Sequence, residues 1–375
     1  MTTIKQLRFD TLDVFRGMTV FLMIVVNTPG SGATPYKSLL HADWNGCTLT
    51  DLVFPSFLFA VGNALSFVKD KWQQQTAADI LSKILKRSFF IFLAGYLLTW
   101  YTTMHWIDGR LLFEKYDQVR ILAVLQRIAL CYLLAAVMIY YLPVTGIIIA
   151  SASCLLVYWF LLIHFGDPGQ QLTATGNVIR KIDLAVLGER HLYREKGIVF
   201  DPEGLLSTIP ATVNVLIGYL TGIIIRRDGK TFKSIVRLGT WGIVLVIAGL
   251  LWNYLLPFNK KLWTSSYVLF TSGIDMLAVA LLFYLVEILH WKKLVAFFSP
   301  MGKNPLFIYV LSNLFLFFII INVKPGKIFI DWINELIFQQ IFPGPFGSLV
   351  FALCFTMICW LVAWLLNRKK IYIRL

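Results

Sequence analysis

Long apolar runs, each closed by a short polar or basic stretch, fill this chain from end to end. Ten of them approach the length of a bilayer span: 14–29, 52–68, 83–101, 121–141, 144–163, 207–225, 236–256, 266–288, 303–322 and 346–366. A helix needs roughly 20 mostly apolar residues to cross the ~30 Å hydrocarbon core. The runs are too continuous for the alternating strands of an outer-membrane barrel. The first is the weakest, since its apolar core extends only from Met18 to Val26. The pattern predicts an all-α polytopic integral membrane protein, a single bundle of about ten transmembrane helices. No soluble module of domain size interrupts it, so residues 1–375 read as one domain. The hydropathy shows no internal repeat, which weighs against inverted-repeat transporter folds.

The polar stretches between the runs are unequal. With both termini on one side, the segments facing away are 30–51, 102–120, 164–206, 257–265 and 323–345. Segments on the termini's own side are short and basic. Within the long stretch 164–206, "DLAVLG" (183–188) has the apolar spacing of a short packed helix, so this stretch reads as an ordered outward cap.

Composition and charge sharpen this picture. The chain is 58% hydrophobic and 14% charged, where soluble domains carry about 25% charged residues. Of the 34 Lys and Arg, 20 fall on the side of the termini, against six Asp and Glu, and the other face is close to neutral. The positive-inside rule then makes both termini cytoplasmic. The formal charge of +14 therefore reports topology and not nucleic-acid binding, although a basic face can meet anionic lipid or a phosphorylated cofactor. Of the cysteines, only Cys47 lies in an outward loop, so no framework of external disulfides is expected. The scattered histidines offer no metal-ligand spacing, and no metal is expected. Ser31-Gly32-Ala33 after the first apolar run loosely resembles a signal-peptidase site, but Asp13 and Arg16 so close to that run favour a retained span.

Candidate chemistry gathers at one lip. "LLHADWNGCTLTDLVFPSFLF" (39–59) places His41 in a short outward loop between Asn27, which closes the first span, and Asp51, which opens the second. Neighbouring antiparallel helices return to one membrane face, so the three share a depth. A neutral imidazole can take a proton from an attacking amine or hydroxyl. A carboxylate can fix its tautomer, and an asparagine amide can donate to a developing oxyanion. Those are the parts of acyl transfer. The bland readings are a structural His41 and an Asp51 that, with Thr48, merely caps a helix start. Arg127 and Asp275 lie inside spans and are expected to pair across the bundle, and Asn214 is expected to bond a neighbouring helix.

At these residues the chain resembles the heparan-α-glucosaminide N-acetyltransferase family of transmembrane acyltransferases. The resemblance rests on "RFDTLDVFRG" (8–17), "HADWNGCTLTDLVFPSFLFAVG" (41–62), "LAVLQRIALCY" (122–132), "LGERHLY" (187–193), "FDPEGLLSTIPATVNVLIGYLTG" (200–222), "NKKLWTSSYVLFTSG" (259–273) and "GKNPLFIYV" (302–310), in order. It implies an acetyl-CoA-dependent (acyl-CoA-dependent) enzyme that takes its acyl group on the cytoplasmic side and delivers it to an amine or hydroxyl of a sugar or glycan acceptor on the periplasmic side. It carries a catalytic role over to His41 and Asn27. The chain looks like a bacterial homologue in the inner membrane, without the lumenal N-terminal domain and the additional span of the lysosomal enzyme.

Physical reasoning adds candidates around that outline. Phosphates will not enter lipid unaided, so the nucleotide should stay at the basic face, with Arg226, Arg227, Lys230, Lys83, Lys86 and Arg87 as candidate partners. Trp44 and Trp106 can stack on a sugar ring or anchor at the interface. Asn45, Asp201 and Glu203 are further candidates for acceptor binding, the latter two from the outward "DPEG" (201–204). The competing reading is a transporter or flippase for a sugar or lipid-linked sugar, without acyl chemistry; a structural subunit of a glycan machine is a third. Direct transfer, an acyl-histidine route, N- or O-acylation and homo-oligomerisation all stay open at this stage.

Overall fold

The computed structural model of the chain describes residues 9–30, 35–72, 74–107, 110–195, 197–320, 322–324 and 327–373. Helices stand at all ten predicted runs. In chain order the helices are α1 (Asp10–Asn27), α2 (Leu49–Trp72), α3 (Ala77–Tyr101), α4 (Val124–Tyr141), α5 (Val144–Phe165), α6 (Val178–Leu187), α7 (Thr208–Asp228), α8 (Phe232–Asn253), α9 (Ser265–Phe283), α10 (Lys292–Lys303), α11 (Pro305–Ile320), α12 (Phe329–Ile333), α13 (Gln339–Ile341) and α14 (Pro345–Arg368). A π turn carries α9 on to Ile288. Among the described residues, strands occur as three two-stranded antiparallel hairpins, β1 (His105–Ile107) with β2 (Arg110–Leu112), β3 (Arg194–Glu195) with β4 (Ile198–Val199), and β5 (Asn322–Lys324) with β6 (Lys327–Ile328). The protein is an all-α polytopic membrane protein.

Among the described residues, seven helices are long and apolar enough to cross a membrane unaided: α2, α4, α5, α7, α8, α9 and α14. An eighth path is the pair α10–α11, bent by 77°. The bend falls at Asn304, whose side chain clamps the C-terminal tail: Nδ2 donates to Ile371 O at 3.1 Å and Oδ1 accepts from Ile373 N at 2.8 Å. Pro305 then opens α11, where its missing N–H costs nothing. Helices α1 and α3 coincide with predicted spans but hold more charge, Asp10, Asp13 and Arg16 in one and Asp79, Lys83, Lys86 and Arg87 in the other. Helices α10, α12 and α13 lie where the sequence pattern predicted only connecting segments. The Ser31-Gly32-Ala33 stretch and the Trp106 side chain lie outside what the structure describes.

Enclosure separates the helices into centre and rim. The apolar windows of α7 and α2 are 78% and 67% buried, those of α5 and α8 only 28% and 22%. The rim helices expose Ile148, Ile149, Leu156 and Phe160 on α5 and Trp241, Val244, Ile247 and Leu251 on α8, a surface suited to lipid tails and not to water. The central pair meets backbone to backbone. A Cβ on Gly62 would stand 1.8 Å from Val215 O, and one on Gly218 2.0 Å from Phe59 O. Small residues at such crossings let membrane helices pack by direct van der Waals contact.

The buried polar groups follow the sequence expectation only in part. Arg127 and Asp275 make no ion pair. Arg127 Nη2 instead donates to Gly204 O at 3.0 Å and to Ser207 Oγ, with its guanidinium 5.0 Å from the Trp263 ring centroid. Carbonyl and hydroxyl acceptors at the head of α7 thus replace the carboxylate as its partners. Asp275 Oδ1 accepts from Ser56 Oγ at 2.5 Å. Asn214 does bond across helices, donating to Thr271 Oγ1 at 3.2 Å and Ser272 Oγ at 3.0 Å while accepting from Trp263 Nε1 at 3.0 Å.

Candidate functional site

The site begins with a helix start that a proline distorts. Pro55 sits inside α2 and has no N–H, so the Asp51 carbonyl four residues earlier lacks its helical donor. Tyr267 Oη, from α9, donates to that carbonyl at 2.5 Å. The Asp51 side chain, buried at 1% exposure, divides its two oxygens. Oδ2 accepts from Thr48 N at 3.0 Å, Thr48 Oγ1 at 3.0 Å and Ala42 N at 3.1 Å. Oδ1 stands 2.7 Å from His41 Nδ1. One carboxylate therefore ties down the helix start and orients the imidazole together. An ionised carboxylate only accepts, so the His41 proton lies on Nδ1 and Nε2 keeps its lone pair.

The loop between α8 and α9 brings a second charge. Asn259 folds 257–264 tightly: its Oδ1 accepts from Leu262 N at 2.8 Å, its N donates to Thr264 Oγ1 at 3.1 Å, and its Nδ2 donates to Asn45 Oδ1 at 3.1 Å. Gly46 N donates to Phe258 O at 2.7 Å, stitching the two loops together. Tyr158 Oη of α5 donates to Leu262 O. Lys260 is thereby held with Nζ 3.0 Å from His41 Nδ1, 3.2 Å from His41 Nε2 and 3.7 Å from Asp51 Oδ1. Burial pushes the Lys260 ammonium below its ordinary value, against the opposing pull of Asp51 and then Glu203.

A third element closes the site. Arg120 Nε and Nη2 reach Asp201 at 2.9 and 2.6 Å, and Nη2 reaches Glu203 Oε2 at 2.5 Å. Such bidentate pairing fixes both partners geometrically. Asp201 Oδ1 also accepts from Glu203 N at 2.9 Å, which sets the turn into α7. Burial alone would push the Glu203 carboxyl up, but Arg120, then Arg127 and Lys260, hold it below the usual carboxylate range. Glu203 is ionised at neutral pH.

These elements enclose a cavity of about 460 Å³, whose lining includes His41, Trp44, Lys260, Arg120, Tyr193 and Glu203. Trp44 Nε1 donates to Leu172 O at 2.7 Å, and its ring lies 5.7 Å from that of Phe200. Lys261 pairs with Glu195 at 2.7 Å at the same mouth. The stretch 164–206, with α6, β3 and β4, supplies Ala174, Tyr193, Glu195, Ile198 and Phe200 to the lining. The volume is that of a small-molecule pocket with a base, an aromatic face and several charges.

The sequence is similar to that of known proteins. The family model described as heparan-alpha-glucosaminide N-acetyltransferase, catalytic, matches residues 8–257. The chain belongs to this family. It is 27% identical to the heparan-alpha-glucosaminide N-acetyltransferase of Homo sapiens over 361 residues, 82% of this chain and 53% of that protein. The Mus musculus protein of the same name is 28% identical over 356 residues, 81% of this chain and 53% of its own length. The chain thus spans about half the length of the curated relatives it matches. It is an acyltransferase-family membrane protein.

Within this family member the residues expected from sequence are only partly brought together. His41, Asp51, Trp44 and Glu203 share one cavity. Asp201 is fully buried one layer behind it, as an anchor for Arg120. Asn45 faces Asn259 and not the cavity. Asn27 is exposed at the end of α1 and is not among the lining residues. The six basic candidates do not converge. Arg226 is bound to Ser66 O and Asp70, Lys230 to Glu287 at 2.7 Å, and Lys83 to Gln75 at 2.6 Å. Arg87 lies 4.9 Å from the Tyr132 ring centroid, while Arg227 and Lys86 are exposed. Sequence reasoning missed Lys260 and Arg120. "NKKLW" (259–263) was the available signal, a polar cluster inside a matching stretch, but nothing local ties it to His41, 219 residues away.

Proposed function

We propose that this chain moves an acetyl or other acyl group from acyl-CoA, bound at the basic face, to an amine or hydroxyl of a sugar in the cavity at the opposite face. The observation that carries the reading is the His41–Asp51 pair, 2.7 Å apart in a cavity, in a family of N-acetyltransferases. Asp51 holds the proton on Nδ1, so Nε2 accepts a proton from the acceptor as its nitrogen or oxygen attacks the thioester carbonyl. Asn27 is the candidate donor to the oxyanion. Trp44 and Tyr193 offer faces for a sugar ring, and Glu203 an acceptor for its hydroxyls. Direct transfer is favoured over an acyl-histidine, because the cavity has room for the acceptor beside the imidazole.

The donor side rests on charge and not on a formed pocket. Arg227, Lys86 and Arg87 are the exposed phosphate partners, while Arg226, Lys230 and Lys83 would first exchange the partners they now hold. In this reading the whole chain is one catalytic bundle in a bacterial inner membrane. Both termini are cytoplasmic, and 164–206 forms the periplasmic lid of the acceptor site.

The test uses the purified full chain in nanodiscs with isotopically labelled acetyl-CoA and glucosaminide probes. A mass increase of one acetyl group on the sugar is expected from wild type. His41→Ala should lower the rate by about 10²–10⁴ while the protein still binds CoA and unfolds at the wild-type temperature. Sugar moving across a proteoliposome membrane with no mass change would replace this reading with transport.

A further inference from the structure

Transfer from a thioester needs two proton transfers, one off the acceptor and one onto the departing sulfur. The acceptor loses a proton to Nε2, and the departing CoA sulfur must gain one. The structure places a second titratable group at the imidazole: Lys260 Nζ lies 3.2 Å from His41 Nε2, held there by the Asn259 loop. We propose that Lys260 is a catalytic residue, the general acid that protonates the departing thiolate and then recovers its proton from His41. The proposal rests on the acyl-transfer reading above.

The step balances without any outside reagent. The acceptor X–H attacks the acyl carbon, and its proton passes to His41 Nε2. The C–S bond breaks, its electron pair goes to sulfur, and an ammonium proton of Lys260 passes to that sulfur. The products are acyl–X and CoA–SH, with His41 doubly protonated and Lys260 neutral. A proton then crosses the 3.2 Å from Nε2 to Nζ, and the resting pair is restored.

Three features of the site suit Lys260 to this part. Its position is built and not a loose surface arm, since the side chain is 17% exposed and its loop is pinned by α5 and by Asn45. Asp51 at 3.7 Å and Glu203, held ionised, keep a positive charge tolerable in the cavity before reaction. Burial lowers its pKa from the ordinary lysine value, which makes the ammonium a better proton donor, as general acids require. The two basic groups in contact thus divide the work, one taking a proton and one giving it.

The deciding experiment compares leaving groups in the intact protein. Wild type, Lys260→Gln and Lys260→Arg are assayed in nanodiscs with acetyl-CoA and with phenyl thioacetate, using methyl glucosaminide as acceptor. The aryl thiolate leaves without needing a proton. Lys260→Gln should slow acetyl-CoA turnover by about 10²–10⁴ but phenyl thioacetate turnover by less than about tenfold. Lys260→Arg should fail to rescue the acetyl-CoA reaction, because a guanidinium does not deprotonate. CoA binding and unfolding temperature, measured alongside, should stay close to wild type. Equal loss with both donors, unchanged turnover with both, or rescue by Lys260→Arg would each overturn the proposal in favour of a fixed charge or a structural contact. Wild type that transfers nothing from either donor would overturn the acyl-transfer reading and this one with it.

Discussion

Asp51 shows how much one side chain can settle. The spacing Asp51…Pro55 removes a helical hydrogen bond, and Tyr267 supplies the replacement from another helix. Tyr267→Phe should therefore leave a buried carbonyl unpaired, lowering stability by about 1–3 kcal/mol. It should also loosen the carboxylate that orients His41, so that turnover falls more than donor affinity; steady-state kinetics beside a melting curve separate the two effects. Asp51→Asn is the sharper variant. An amide keeps one acceptor oxygen, so it can serve the Thr48 and Ala42 donors or His41 Nδ1, not both. Turnover should fall by as much as about 10⁴ through loss of the correct tautomer, with a stability loss of about 1 kcal/mol from the helix start. Near-normal turnover with lowered stability would reduce Asp51 to a cap. The sequence offered capping and orientation as rival roles for this residue; the structure assigns one oxygen to each. Lys260 and Arg120 escaped the sequence reading for a physical reason. Each is defined by partners far along the chain, and a lone basic residue in an outward loop looks like any solvated charge.

Elements follow the same division between local and remote information. The ten helical runs were legible because apolar length alone fixes them. Helix α6 was legible from the apolar spacing of "DLAVLG", and it opens with an Asn177 cap whose Oδ1 accepts from Arg180 N at 2.8 Å. Helix α10 was not, because its twelve residues carry lysines at both ends and bury Pro300, Met301 and Gly302 only through packing on α1. The crossing of α2 and α7 sets the distance between Asp51 and the turn holding Glu203. Gly218→Val should push the helices apart and lower the yield of folded protein sharply, whereas Gly239→Ala, whose Cβ meets nothing within 4 Å, should be harmless; size-exclusion profiles in detergent compare them. The lid supplies a pH prediction. Asp183 Oδ1 accepts from Leu205 N at 2.9 Å, and burial raises its carboxyl from the ordinary 3.8 to about 7. Between these values the folded state binds more protons than the unfolded one, so this contribution to stability is present in full below about 4 and is lost as pH rises through about 7. Melting temperature should fall between pH 5 and pH 8, and Asp183→Asn, which keeps the acceptor and replaces the protonated oxygen with a donor, should flatten that fall. A steeper fall in the variant would refute the assignment.

At the scale of the whole molecule the proposal requires opposite faces to do different jobs, and orientation is what the charge pattern alone argues. The ends of α2 and α7 that carry Lys69, Lys71, Arg226 and Arg227 lie on one face, where Arg226 meets Asp70, and His41 with its cavity lies at the other ends of the same two helices. If positive charge marks the cytoplasm, the acceptor meets His41 outside the cell and the nucleotide never leaves it. Cys47 is a poor reporter of this, although it sits beside the site. Burial and Asp51, against Lys260, push its thiol up to about 12, so little thiolate is available to react. A Cys47→Ser background with one introduced cysteine serves better. Glu189 is exposed in the lid and Lys233 is exposed at the start of α8 on the basic face. In spheroplasts of a bacterial host, an impermeant maleimide should label Glu189→Cys at once and Lys233→Cys only after the membrane is ruptured. The reverse order would place the cavity in the cytoplasm. Donor and acceptor would then approach from sides opposite to those proposed, and the basic face would need a partner other than cytoplasmic acyl-CoA.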